Sequence, residues 1–300
     1  MCHVYIVIVR NKFYCIYYIM LPIKKLYIDS RDRTPDSVSA SNFRIDLPYV
    51  VQMPDNSVFF ITDVSIPHIW TTIEAGVNDK LYVWITNTSL PASMAYYVIN
   101  MTPGNYTAAT LAIALQNNLN ATIPENLFTC RNTAGGNDLL ISINAADRSV
   151  VFLSDDYLAA TPALTALTWS NGNLDIGNPC TMNDVIQNYN QKVIDSTHPY
   201  ATDTLNLQPI NNVYITSPSL GSYDTLATFS QNVIKKVPIS AAYGYMIVDQ
   251  YLAPNDYLDC SRQTFKTLEF HVRDGRGRFV NLHGAHISFS IVFNKWQHEV

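Results

Sequence analysis

Charge is scarce in this sequence. Charged residues make up 14% of the 300, where an ordinary soluble domain carries about 25%. Only Glu74, Glu125, Glu269 and Glu299 are glutamates. Lys and Arg together number 19 against 24 acidic residues, for a net charge of −5, and no basic run or tail occurs. That balance excludes a protein that coats nucleic acid. Cys2, Cys15, Cys130, Cys180 and Cys260 stand far apart, with no short-spaced pair. Neither a disulfide framework nor a zinc knuckle is implied, and a reducing compartment fits.

Long apolar runs are also missing. The apolar N-terminus is broken by Arg10-Asn11-Lys12, so neither piece reaches the roughly 20 residues a membrane span needs. A signal peptide would place its positive charge ahead of the apolar run and small residues at a cleavage site, and this segment has neither arrangement. Residues 1–23 therefore read as an extension ahead of a first strand at Leu26, with Met20 the expected functional start. The alternative is an arm that docks on a neighbouring molecule.

Chemistry-bearing motifs are absent too. There is no Gly-x-x-x-x-Gly-Lys, no Gly-x-Ser-x-Gly and no His-Glu-x-x-His. His283 and His286 resemble a metal pair, but their odd spacing on a strand sends them to opposite faces or into the hairpin end. Cys260 and His271 could form a thiol–imidazole pair, yet nothing orients a third member, and a buried structural cysteine is the expectation. Aspartate is frequent, but no spacing singles out a glycosidase pair. No catalytic, cofactor-binding or metal-binding residue is assigned, no cofactor is expected, and the chain is read as a non-enzyme.

What is present is strand periodicity. From Thr264 to Arg273, Leu268, Phe270 and Val272 alternate with Thr267, Glu269, His271 and Arg273, and in the last arm Ile287, Phe289, Ile291 and Phe293 alternate with His286, Ser288 and Ser290. Each arm has one apolar face. Asp274-Gly275 and Gly277 supply hairpin-type turn residues, which predicts that the two arms pair with each other and need a second sheet to cover them. Further strands are expected at Leu26–Ile28, Phe43–Leu47, Ser57–Ile66 and Leu81–Thr86, and again at Asn212–Thr216, Asn232–Ile239 and Tyr245–Gln250.

Between these sets the pattern changes. Thr107 caps an expected helix with Ala108, Leu111, Ala112, Leu115 and Leu119 at helical spacing, and Tyr106 is placed to staple against Leu111. Leu139–Ile143 and Ser149–Leu153 read as a hairpin. Thr161-Pro162 opens a short helix, and Thr181-Met182-Asn183-Asp184 reads as a capping box ahead of Val185, Ile186, Tyr189 and Val193. The predicted organisation is an extension at 1–23, a first half of a β domain at 24–95, an independently folded α+β domain inserted at 96–204, and the second half at 205–300. About eight strands lie outside the insert, four of them before it. The fold class is mainly β: a single jelly roll, an eight-stranded antiparallel sandwich, with a smaller inserted α+β domain. Its core is expected to contain Phe60, Val83, Phe270, Phe289 and Ile291.

Two surface features are open to function. Arg273-Asp274-Gly275-Arg276-Gly277-Arg278 could bind phosphate or an acidic partner, although a solvated hairpin tip is the simpler reading. Trp70, Tyr82 and Trp84 could form a glycan platform or a subunit contact.

Several segments also resemble a known family. Leu26-Tyr27-Ile28-Asp29-Ser30-Arg31-Asp32-Arg33 with Asn42-Phe43 and Leu47-Pro48, Pro103-Gly104-Asn105-Tyr106-Thr107, Val213 to Leu220, Ile234 to Ile239, Gly244, and Leu268 to Asp274 with Leu282 to Phe293 are similar to segments of single jelly-roll vertex proteins. These are the pentons, or minor capsid proteins, of virophages and Polinton-type double-stranded DNA viruses, the mavirus kind among them. The resemblance spans most of residues 24–293 and leaves 1–20 unmatched. It implies a structural subunit of an icosahedral virion, assembled in the infected host cell and forming a homopentamer at the five-fold vertices. It further implies contact with a double jelly-roll major capsid protein, a receptor or fibre partner for the insert, no specific nucleic acid and no membrane span. Scarce charge agrees with a surface covered by other subunits. The alternative is a jelly-roll protein that binds or cleaves glycans.

Overall fold

A computed structural model describes residues 2–9, 12–19, 24–87, 94–124, 127–133, 136–220, 232–252 and 256–295. The chain divides into two compact units, Met1–Trp70 with Ile210–Val300, and Thr71–Pro209. The first cut falls at Trp70, not at residue 95 as the sequence predicts.

The first unit begins with β1 (Cys2–Val9) and β2 (Lys12–Ile19), which pair only as an antiparallel two-stranded sheet. Next come β3 (Lys24–Asp29), β4 (Asn42–Gln52) and β5 (Ser57–Pro67). The second unit holds β6 (Lys80–Asn87), β7 (Met94–Asn100), α1 (Ala108–Thr122), β8 (Phe128–Asn132), β9 (Leu139–Ile143), β10 (Arg148–Phe152), α2 (Asp155–Ala160), β11 (Trp169–Ser170), α3 (Asn183–Ile186), β12 (Lys192–Ile194) and β13 (Tyr200–Ala201). The first unit then resumes with β14 (Asn212–Thr216), β15 (Val233–Pro238), β16 (Met246–Asp249), β17 (Leu258–Asp259), β18 (Thr264–Arg273) and β19 (Ser288–Lys295).

Two antiparallel sheets form the first unit, in the orders β16-β5-β19-β3 and β15-β14-β18-β4, with short β17 added to β5. Leaving β17 aside, eight strands in chain order give sheets 6-3-8-1 and 5-4-7-2. Every connection except the fourth to the fifth passes from one sheet to the other. That winding is a jelly roll.

The two C-terminal arms therefore do not pair. β18 lies between β14 and β4, while β19 lies between β5 and β3 in the other sheet. A turn does form after β18: the Gly277 N–H donates to Asp274 O at 3.0 Å, and Gly277 has φ +80°. The return is brief, ending with the Val280 N–H on Val272 O at 3.0 Å, and the chain then crosses to the facing sheet. The arms thus cover each other's apolar faces. Phe270 meets Phe289 edge-on at 5.1 Å and Phe265 meets Phe293 at 6.1 Å.

On β5 the apolar phase shifts midway. Phe59 and Ile61 face the core, then Val64 and Ile66 do, because Asp63 takes φ +53° at an irregularity in the pairing with β19. An extra residue of that kind is a β-bulge, and it reverses which parity points inward. Phe60, expected in this core, points the other way and packs edge-on against Tyr257 at 4.9 Å.

The second unit explains the misplaced boundary. β6 pairs with β7 and β10 in the order β11-β7-β6-β10-β12, so it belongs to the insert and not to the sandwich. Leu81, Val83 and Ile85 face a core shared with α1 and with the sheet β13-β9-β8, while Tyr82 faces a second core with Val98, Val151 and Trp169. Val83 is thus a core residue of the insert. A strand buried on both faces is apolar at successive positions, which the Leu-Tyr-Val-Trp-Ile run shows. Three jelly-roll strands precede the insert, where the sequence predicts four.

Local signals fared unevenly here. Thr107 and Thr110 form the capping box of α1 (Thr110 N–H to Thr107 Oγ1, 3.2 Å; Thr107 N–H to Thr110 Oγ1, 2.8 Å). Leu139–Ile143 and Arg148–Phe152 are strands but sit in different sheets, so they are not a hairpin. The segment opened by Pro162 is a 3-10 turn ending at Ala166. The helix expected after Thr181 is only α3, because Gln187 turns left-handed (φ +54°) and Val193 lies on β12.

Candidate functional site

Where the sequence suggests chemistry, the side chains are committed to structure. Cys260 is fully buried in the sandwich core and burial pushes its thiol up to about 12. Its proposed partner His271 instead donates from Nε2 to Glu269 at 2.9 Å. His286 Nδ1 lies 3.2 Å from Ser30 Oγ, and His283 occupies a turn at φ +44°. Among the described residues no group of three or more His, Cys, Asp or Glu is placed to hold a metal, and no helix is long and apolar enough to cross a membrane. Glu125 and Glu299 lie outside the described residues.

The proposed aromatic platform does not form. Tyr82 and Trp70 are buried, and burial pushes the Tyr82 phenol well above its usual value. Trp84 packs edge-on against Tyr96 and Tyr157 at 6.2 and 5.6 Å. A 190 Å³ cavity in the second unit, lined by Ile85, Tyr97, Ile123, Leu127 and Arg148 among others, falls below the roughly 300–1,000 Å³ of ordinary ligand pockets.

The arginine-rich turn is a knot rather than a solvated tip. Asp274 is buried, and its carboxylate accepts the N–H groups of Arg276 and Arg278 at 2.9 Å and Arg278 Nε at 2.8 Å. Arg273 lies 4.1 Å over the Phe279 ring and donates to Gly277 O at 2.6 Å. Arg273 and Arg278 are thus engaged within the turn. Asp274→Ala should cost about 1–3 kcal/mol, since it strips the acceptor from two backbone donors and one guanidinium. Urea denaturation measures this, and a loss under about 0.5 kcal/mol would show that the knot is dispensable.

Beside it, β18 and β4 carry a charged row on their outer face. Arg44 donates to Glu269 Oε2 at 2.9 Å, and Arg273 Nη2 lies 3.3 Å from His271 Nδ1. Burial, reinforced by the Arg273 charge and opposed by Glu269, holds the His271 imidazole below its usual value. The folded protein therefore binds a proton at His271 less readily than the unfolded chain does. The unfolded chain binds more protons as pH falls below about 6.5, so stability contributed by neutral His271 is complete above that value and declines through the acid side of it. His271→Gln, which keeps a donor and an acceptor but cannot titrate, should flatten the loss of the urea midpoint between pH 7.5 and 5.5. An unchanged slope in the variant would remove His271 as the cause.

The ionic group that sequence reasoning missed is Lys235. It is buried on β15, donates to Tyr251 O at 2.5 Å, and lies 3.4 Å from both Asp249 and Asp256. An exposed lysine next to a second lysine, Lys236, is the ordinary expectation. Only its acidic partners reaching over from the β16 connection make burial affordable.

The fold and its surfaces together define a jelly-roll sandwich interrupted between its third and fourth strands by an α+β unit. No protein-family model matches this chain, and no curated protein matches its sequence. Among solved structures, the crystal structure of selenomethionine-labelled mavirus penton protein is similar at 12% identity, covering 91% of this chain and 100% of that one, with a TM-score of 0.46.

Proposed function

We propose that this chain is a structural capsid subunit, a penton-type protein that closes a five-membered ring at the vertices of an icosahedral virion and carries out no reaction of its own. The observation that carries the reading is the strand order: a complete two-sheet jelly roll whose third-to-fourth connection holds residues 71–209 as a separate unit. A fold alone does not set function. The penton-like segments Leu26 to Arg33 and Val213 to Leu220 add to it, and they fall on β3 with its following turn and on β14 with its following loop. Scarce charge adds more, since a subunit flanked by neighbours shows water little of its surface.

In this reading the sandwich makes the ring and meets a double jelly-roll major capsid protein around it. The inserted unit is the part available to a host receptor or a fibre. No specific nucleic acid is a partner in this reading, and the chain does not span a membrane. Electron microscopy of the purified protein should show five-fold rings, and these should occupy vertices when the major capsid protein is supplied. Uniform single particles, with no vertex density in mixed assemblies, would overturn the proposal.

A further inference from the structure

Among the described residues β1 and β2 pair only with each other, in a two-stranded sheet that joins neither sheet of the sandwich. A lone hairpin is at best marginally stable in water, so one of two eight-residue strands needs a surface to lie on. Its pairing register shows what kind of surface. Residues opposite each other in an antiparallel pair share a face, and neighbours along a strand alternate between faces. One face carries the rungs Val4 with Tyr17, Ile6 with Cys15 and Ile8 with Phe13. The other carries His3 with Tyr18, Val7 with Tyr14 and Val9 with Lys12.

The two faces differ in chemistry. The first has no charged and no amide side chain, while the second combines aliphatic residues with a histidine, tyrosines and a lysine. Protein contacts carry about one hydrogen bond per 100–200 Å², which fixes their register. The first face has almost nothing with which to fix a register, and it suits an apolar surface that has no fixed shape. Charge points the same way. Residues 1–23 hold Arg10 and Lys12 and no acidic residue, within a chain of net charge −5, and Lys12 closes the last rung of the hairpin. Tyrosines and lysines are the residues that settle at the headgroup level of a bilayer, and lysine and arginine favour anionic lipid.

We propose that this hairpin binds an anionic lipid surface, with the Val4, Ile6 and Ile8 face at the acyl boundary and the Lys12 end among the headgroups. It lies on the bilayer and does not cross it. Two strands leave two edges of unpaired N–H and C=O groups, which the hydrocarbon interior does not accommodate and the hydrated headgroup layer does. The inference is independent of the ring reading, and it makes residues 1–19 a functional part of the chain.

Flotation of the full-length protein with phosphatidylcholine vesicles, prepared with and without phosphatidylserine, tests it. The protein should rise with the phosphatidylserine vesicles and much less with the neutral ones. Ile6→Gln and Val7→Gln place the same neutral polar group at adjacent positions of one strand, on opposite faces. Ile6→Gln should lower the bound fraction at limiting lipid by about tenfold, the worth of one buried aliphatic side chain, and Val7→Gln should leave it within about twofold. A wild-type protein that stays behind with both vesicle types, or binds both equally, would overturn the proposal, as would equal loss or equal retention in the two variants. Light scattering without vesicles tests the competing occupant: an assembly dispersed by Ile6→Gln and kept by Val7→Gln would place a second copy on that face and overturn the lipid assignment.

Discussion

Phe289→Ala is expected to destabilise the sandwich by about 3–5 kcal/mol, as large-to-small changes at well-packed aromatic sites do. Phe289 sits on β19, a central strand with partners on both sides. Its ring meets Phe270 of the facing sheet at 5.1 Å, and Phe270 in turn meets Phe43 at 5.5 Å within its own sheet. Such a row cannot close over a missing ring, because each side chain is held by strand pairing as well as by its neighbours. Phe60→Ala is the internal control. Its ring lies on the other side of β5 against Tyr257, outside the Phe43–Phe270–Phe289 cluster, so the loss should be smaller. Chemical denaturation of both variants checks the order, and a Phe289 loss below about 1 kcal/mol would contradict the packing described.

Excision of the insert should separate two outcomes sharply. Joining Trp70 to Ile210 through a short Gly/Ser bridge removes Thr71–Pro209 whole, and the eight strands of the sandwich keep every partner they have. The product should be soluble, rich in β structure and cooperative in unfolding. Cutting at 96 and 204 instead leaves β6 in the protein while removing β10 and most of β7. Its two apolar faces then have nothing to cover them, and an exposed unpaired apolar strand is an aggregation site. That product should be insoluble. Equal solubility of the two would move the boundary back toward residue 95.

The same strand shows what could be read in the sequence. Periodicity located most strands of the sandwich, since a strand with one wet face must alternate, and β18 does so from Leu268 to Arg273. Nothing in periodicity names a strand's partner. Asp274-Gly275 invited a hairpin, but the turn closes only two residues of ladder before the chain crosses over, and the decision lies in the Phe270–Phe289 contact between sheets. Leu81 to Ile85 carried a usable signal: five successive apolar residues mean burial on both faces, unlike the alternation of β18. The αL turn at Gln187 and the bulge at Asp63 carried little signal, because glutamine seldom takes positive φ and a single aspartate, though more tolerant of it, does not by itself mark one. The burial of Lys235 depends on acids that arrive from a later segment, and no local pattern announces it.

Ring formation is the central claim, and the mass of the purified protein in solution tests it most directly. A stable contact buries about 800 Å² on each partner, and with so few charges on the chain that area has to be chiefly apolar, aromatic and neutral polar. Ion pairs at its rim are weak. Light scattering should therefore report five copies of the 33.7 kDa chain, unchanged when salt is raised to about 1 M and the screening length falls to about 3 Å. A single-copy mass at low salt, with the fold intact by circular dichroism, would contradict the account. Dissociation only at high salt would show that ion pairs hold the ring and that the scarcity of charge was misread.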